Sequence, residues 1–158
     1  MSQPYDYIEM KIPAKPEYVG VIRLTASGIA GRMGFSYAEI EDLKIAVSEA
    51  CTNAAQHAYK SKDKGEVSIG YSLYKYRLEI IVADRGVSFD LQELRKKIGP
   101  YDQQKESIEY MREGGLGLYL IETLMDEVKF HHNEGVTVLM TKYLEGEKVE
   151  SGAKTISP

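Results

Sequence analysis

Glu49 and Asn53 stand four residues apart within the stretch Ser48-Glu49-Ala50-Cys51-Thr52-Asn53-Ala54-Ala55-Gln56-His57-Ala58-Tyr59. At helical pitch that spacing stacks a carboxylate and a carboxamide on one face. Held on a rigid helix beside a core, the pair can line a pocket, with oxygen atoms aimed at a cation or at a proton-donating substrate. Two further stretches carry chemistry. Asp84-Arg85-Gly86 delivers an acid from the end of a strand into a glycine turn. Gly114-Gly115-Leu116-Gly117-Leu118 opens a helix, and glycines ahead of a helix expose backbone N–H groups at its positive end, where an anion can sit. Taken singly, each has a plainer reading as a solvated helix face, a turn or a loop. The glycine run is not a dinucleotide-binding fingerprint, because no strand precedes it and Tyr119 and Leu120 fill the place of a last glycine. No P-loop occurs. His57 reads as a packed or hydrogen-bonded histidine, and His131 and His132 lack a cysteine or third histidine at ligand spacing, so no zinc site is expected.

These residues need elements to hold them. Ser36 and Glu39 form a capping box that starts the central helix, which runs to about Tyr59 on a stripe of Ile40, Leu43, Val47, Ala50 and Ala54. Glu49 and Asn53 flank that stripe. Before it, Tyr5 to Ile12 alternates as an edge strand closed by Pro13. Pro16 then suits the first turn of a helix whose Val19, Ile22, Ala26, Ile29 and Met33 make a narrow seam. Periodicity alone leaves open whether that seam packs internally or against a second subunit. After a charged loop, Val67 to Leu73 and Leu78 to Val82 alternate as antiparallel strands joined near Lys75. Periodicity lapses from Val87 to Glu113, apart from a short helical candidate at Leu91–Lys97, a length typical of a functional lid or a disordered segment. The glycine-led helix continues through Leu120, Ile121, Leu124 and Met125. A last hairpin, Val128–His132 and Val136–Tyr143, turns at Asn133-Glu134-Gly135.

The chain of 158 residues suits one domain, expected over residues 1–145, with 146–158 as a flexible tail. Lysine and arginine number 20 against 24 acidic residues, and a net charge of -4 argues against direct nucleic-acid binding. Cys51 alone makes no disulfide framework, no stretch approaches the roughly 20 apolar residues of a membrane span, and the N-terminus is no signal peptide. A cytoplasmic protein is expected.

In their order, the helix pair, the strand-borne Asp-x-Gly, the lid-length gap and the glycine-rich helix start resemble the GHKL ATPase superfamily over about Tyr5 to Tyr143. Glu49-x-x-x-Asn53 resembles its N box, Asp84-Arg85-Gly86 its first glycine box and Gly115-Leu116-Gly117-Leu118 its second. Ile40-Glu41-Asp42-Leu43-Lys44-Ile45-Ala46-Val47-Ser48-Glu49-Ala50 and the terminal Thr137-Val138-Leu139-Met140-Thr141-Lys142 are similar to the RsbW-type anti-sigma factor serine kinases. The resemblance implies an α+β fold, a two-layer sandwich of the GHKL (Bergerat) type whose mixed, mostly antiparallel sheet carries helices on one face. It implies ATP and Mg²⁺, with Asn53 as metal ligand and Glu49 as general base for a serine hydroxyl. Asp84 would accept a hydrogen bond from the adenine amino group, and Gly86 would let the backbone approach the ring. Gly115, Leu116, Gly117 and Leu118 would bring amides to the phosphates, with Thr137 behind the adenine pocket. Arg23 would contact a partner.

The implied function is an ATP-dependent protein-serine kinase that also sequesters a sigma factor. It would be a homodimer and would phosphorylate a serine of a STAS-type anti-anti-sigma protein. The alternative is a non-catalytic, nucleotide-sensing sequestering module. Two departures from the superfamily pattern stand out: Ser88 occupies the last glycine of Asp-x-Gly-x-Gly, and Arg112 lies one step further back than the usual arginine.

Overall fold

Alternating apolar residues build a five-stranded sheet in the computed structural model, which describes residues 3–60, 65–84, 117–132 and 136–144. The chain runs β1 (Asp6–Pro13), a 3-10 turn (Pro16–Tyr18), α1 (Val19–Met33), α2 (Tyr37–Lys60), β2 (Glu66–Leu73) and β3 (Arg77–Ala83). It resumes with α3 (Gly117–Leu124), β4 (Glu127–His132) and β5 (Val136–Tyr143). The strand order is β1-β2-β3-β5-β4. Every described pairing is antiparallel, which goes further than the mostly antiparallel sheet expected. Topology gives the reason. The one later strand among the described residues that runs parallel to β3 is β4, and it lies beyond β5 at the edge, so the two never pair.

The helices cover one face of the sheet. Ile69, Tyr71, Leu78, Ile80, Val82, Val138 and Met140, each two residues from the next along its strand, join one apolar cluster with the buried sides of α1, α2 and α3. Burying a side chain of this size stabilises the fold by about 1.5–3 kcal/mol. Tyr71 is fully buried, and its hydroxyl donates to the Ile22 carbonyl of α1 at 3.3 Å, which satisfies the polar atom that the core would otherwise penalise. On the reverse face Tyr7 lies against Gly70, where a Cβ would come within 2.5 Å of the Tyr7 hydroxyl.

The α1 seam settles between its two readings. Val19, Ile22, Ala26 and Ile29 are buried within the single chain, against α2 and the sheet, so the seam packs internally. Pro16 opens a 3-10 turn rather than the helix itself, and α1 ends at Gly34, whose φ of 97° lies in the left-handed region that favours glycine. The capping box forms as the sequence predicts. Glu39 N–H donates to Ser36 Oγ at 3.1 Å, and Ser36 N–H donates to Glu39 Oε1 at 2.9 Å.

Candidate active site

α2 lies over the centre of the sheet, packed on β2, β3 and β5, with α1 along one side and α3 along the other. Its buried face is wider than the predicted stripe, because Ala46, Cys51 and Ala55 are buried as well as Leu43, Val47, Ala50 and Ala54. Three neighbours demand that width. Glu49, half-buried, and Asn53, buried, stand on the α3 side.

The start of α3 meets this pair. A Cβ on Gly117 would lie 2.5 Å from Asn53 Nδ2 and 3.2 Å from Glu49 Oε2, so only glycine lets the helix start approach so closely. At its far end, Leu124 offers its carbonyl to Lys142 Nζ at 2.6 Å, and the same ammonium lies 3.7 Å from Asp42 Oδ2 near the beginning of α2. α2 and α3 are therefore antiparallel. The positive end of α3 points at the Glu49–Asn53 pair, where anionic groups are favoured.

Strand register fixes which end of the sheet this is. Ala83 pairs with Ser68 and Thr137, and Leu78 pairs with Lys142, so the Lys142 end and the Asp84 end are opposite ends of the sheet. Asp42 marks the former and Asn53, eleven residues later on α2, lies toward the latter. Asp84, half-buried and immediately after β3, is thus carried toward the end of the molecule that holds Asn53 and Gly117. Thr137 is buried beside Ala83, and alternation puts both on the sheet face away from the helices. It stands behind that end rather than within it. Leu118 is buried in the core, so only its backbone can face the site. Gly86, Gly115, Leu116, Ser88, Arg112 and the Leu91–Lys97 helix candidate lie outside the described residues.

Asn53 Nδ2 is buried and has no hydrogen-bond partner among the described residues. Leaving such a group unsatisfied costs about 1–3 kcal/mol. A half-turn of the carboxamide exchanges its oxygen and nitrogen with little change of shape, so Asn53 can present either an acceptor or a donor to a ligand. A cleft of about 500 Å³ opens on the other flank of α2, lined by Ala14, Lys15, Pro16, Glu17, Thr52, Ala55 and Gln56. Arg23 of α1 borders the same flank, with its guanidinium 3.4 Å from Ser48 Oγ, one residue before Glu49.

Residues 12–142 match the family model of the histidine kinase-like ATPase domain. A serine-protein kinase RsbW of Bacillus velezensis is 62% identical over 152 residues, covering 96% of this chain and 94% of its own. RsbW proteins of Bacillus cereus and Bacillus anthracis are 60% identical over 157 residues, covering 99% of this chain and 97% of theirs. The chain belongs to the RsbW serine-protein kinase family. A crystal structure of the RsbU and RsbW domains of a Mycobacterium tuberculosis protein shares the fold, with a TM-score of 0.62 at 21% identity. That match covers 89% of this chain and 33% of the solved one, so the chain spans about a third of that protein's length. An RsbW-family domain of the histidine kinase-like ATPase type uses ATP. No helix among the described residues is long and apolar enough to cross a membrane.

Lys142, at the opposite end of α3 from the Glu49–Asn53 pair, is a buried charge that sequence reasoning did not single out. A signal was present, since Val138, Met140 and Lys142 share one face of β5 and a lysine there breaks an otherwise apolar pattern.

Proposed function

We propose that the chain is an ATP-dependent protein-serine kinase that phosphorylates a serine on a STAS-type anti-anti-sigma protein and, when free of that antagonist, sequesters a sigma factor. The observation that carries this is the approach of Gly117 to Glu49 and Asn53. It sets a helix N-terminus, a carboxylate and a carboxamide whose nitrogen has no partner among the described residues around one spot, which is the chemistry that a nucleotide's terminal phosphate and an incoming hydroxyl require. Asp84 takes the adenine amino group at the same end of the sheet, with Gly86 letting the backbone close on the ring and Thr137 supporting from the reverse face. Gly115, Leu116, Gly117 and Leu118 supply amides to the phosphates.

Asn53 fits Mg²⁺. A neutral oxygen ligand leaves the remaining coordination places to water and phosphate oxygens, as this ion prefers, and because the amide nitrogen has no partner among the described residues, a half-turn can bring the oxygen to its place without breaking a bond there. The bound ion would offset charge on the phosphates. Glu49 accepts the serine hydroxyl proton as Oγ bonds to the γ-phosphorus. The bond to the ADP oxygen breaks and ADP leaves, and base assistance of this kind is typically worth about 10²–10⁴-fold.

Arg23, exposed on α1 beside Val21 and Leu24 and on the flank of α2 away from α3, contacts the protein partner. Sigma factor and antagonist compete for this surface, so nucleotide state switches partners only through a difference in their affinities. The active form is a homodimer in the cytoplasm, with residues 1–145 as the kinase domain.

Incubation of the chain with labelled ATP, Mg²⁺ and a STAS-type antagonist tests the reading. Phosphoserine is expected on the antagonist, with loss of transfer but retained ATP binding in Glu49→Gln. Full transfer by that variant removes the base assignment, and absence of phosphoserine with the unaltered chain leaves only a nucleotide-sensing sequestering module.

A further inference from the structure

A short helix has little stability of its own, so the placement of α3 must be imposed by what touches it. Its eight residues extend only about 12 Å. One end, Gly117, meets Asn53 and Glu49; the other, Leu124, meets Lys142. A shift at either end is therefore transmitted to the other.

Lys142 is an unusual residue to find at that far end. It is 5% exposed and sits on the apolar face of β5, where an ammonium is costly to bury unless paired. Its Nζ finds two partners on two different elements. It donates to the Leu124 carbonyl at 2.6 Å, at the negative end of α3, and lies 3.7 Å from Asp42 Oδ2 on α2. The neighbouring backbone holds the same corner, with Asp126 N–H donating to the Thr141 carbonyl at 3.0 Å and Tyr143 N–H donating to Asp126 Oδ2 at 2.7 Å. One charge thus ties β5, α2 and α3 together at the end of α3 opposite Gly117.

We propose that Lys142 is a positioning residue for phosphoryl transfer: by fixing the C-terminal end of α3 to Asp42 of α2, it holds Gly117 in register with Glu49 and Asn53. The assignment rests on the kinase reading above for its catalytic consequence, but the placement of α3 can be measured without nucleotide. Methionine matches the length and apolar stem of lysine without the charge, and the Asp42 side chain, 40% exposed, remains solvated when the ammonium is removed.

The test therefore compares Lys142→Met, Lys142→Arg and Asp42→Asn with the unaltered chain, by hydrogen exchange of the nucleotide-free proteins and by steady-state kinetics. In Lys142→Met the amides of residues 118–124 are expected to exchange about tenfold faster, with α1 unchanged. The kcat for transfer should fall about tenfold while KM for ATP changes much less, because the adenine end is untouched. Lys142→Arg keeps a charged donor and restores both readouts, and Asp42→Asn gives a smaller effect of the same kind. Unchanged exchange in α3, or kcat equal to the unaltered chain, overturns the proposal; so does a loss that arginine fails to restore. If Lys142→Met does not fold, Asp42→Asn is read by the same criteria. If the unaltered chain transfers no phosphate, the kinase reading falls and the exchange measurement alone decides the role of Lys142.

Discussion

Gly117→Ala is the sharpest probe of the site, because one methyl group is asked to occupy space that Asn53 and Glu49 already fill. Carbon needs about 3.5 Å from a non-bonded heavy atom. A Cβ at Gly117 would have 2.5 Å to Asn53 Nδ2 and 3.2 Å to Glu49 Oε2, an overlap of about 1 Å with the carboxamide. Asn53 is buried, so the amide or the start of α3 must move by that distance. Misplacing a reacting group by about 1 Å costs on the order of 10²-fold in rate. Stability should change far less, since alanine regains up to about 1 kcal/mol of helix propensity against an overpacking cost of about 1–3 kcal/mol. Transfer of labelled phosphate to the antagonist, read beside thermal unfolding, checks both quantities. Thr123→Ala, on the exposed side of the same helix, serves as the control with unchanged transfer. A Gly117→Ala protein that stays within about threefold of the unaltered rate would mean that the close approach has no part in the chemistry.

Other expectations concern the frame. Ser36→Ala removes one half of the reciprocal cap on α2 and should cost about 1 kcal/mol, lowering Tm by about 2–4 °C with kcat unchanged. Burial pushes the Cys51 thiol well above its ordinary range, so the thiolate is suppressed near neutral pH. A thiol-reactive chromophore at pH 8 should leave Cys51 unlabelled in the native protein and label one thiol per chain once denaturant is added. Rapid native labelling would show that the packing around α2 opens readily.

Much of this frame could be read from the residues. Period-two alternation located both hairpins, because each strand presents one face to a single apolar layer, and the Ser36–Glu39 pair placed the start of α2 through local chemistry. Glu49 and Asn53 were legible as a pair because helical pitch is local too. The meeting with Gly117 was not legible from spacing, since it depends on how α3 lies across α2; only the resemblance in motif order implied it. Thr137 shows the limit from the other side. The resemblance put it behind the pocket, and only register with Ala83 shows which face of the sheet it occupies, the one away from the helices. Lys142 escaped notice because its partners, Leu124 and Asp42, lie 18 and 100 positions away.

The strand order also governs how this chain must fold. The β2–β3 and β4–β5 hairpins join neighbours across short turns, whereas β3 meets β5 through pairs such as Ile80 with Met140, sixty positions apart. Closing so long a loop costs entropy before any contact repays it, and chains dominated by such pairings fold slowly. β1 meets β2 across a similar distance, Met10 with Ile69 being fifty-nine positions apart, so these two closures, rather than either hairpin, set the folding rate, and apolar truncation at Ile80 or Met140 should slow refolding more than the same truncation at Phe130, whose strand pairing is local.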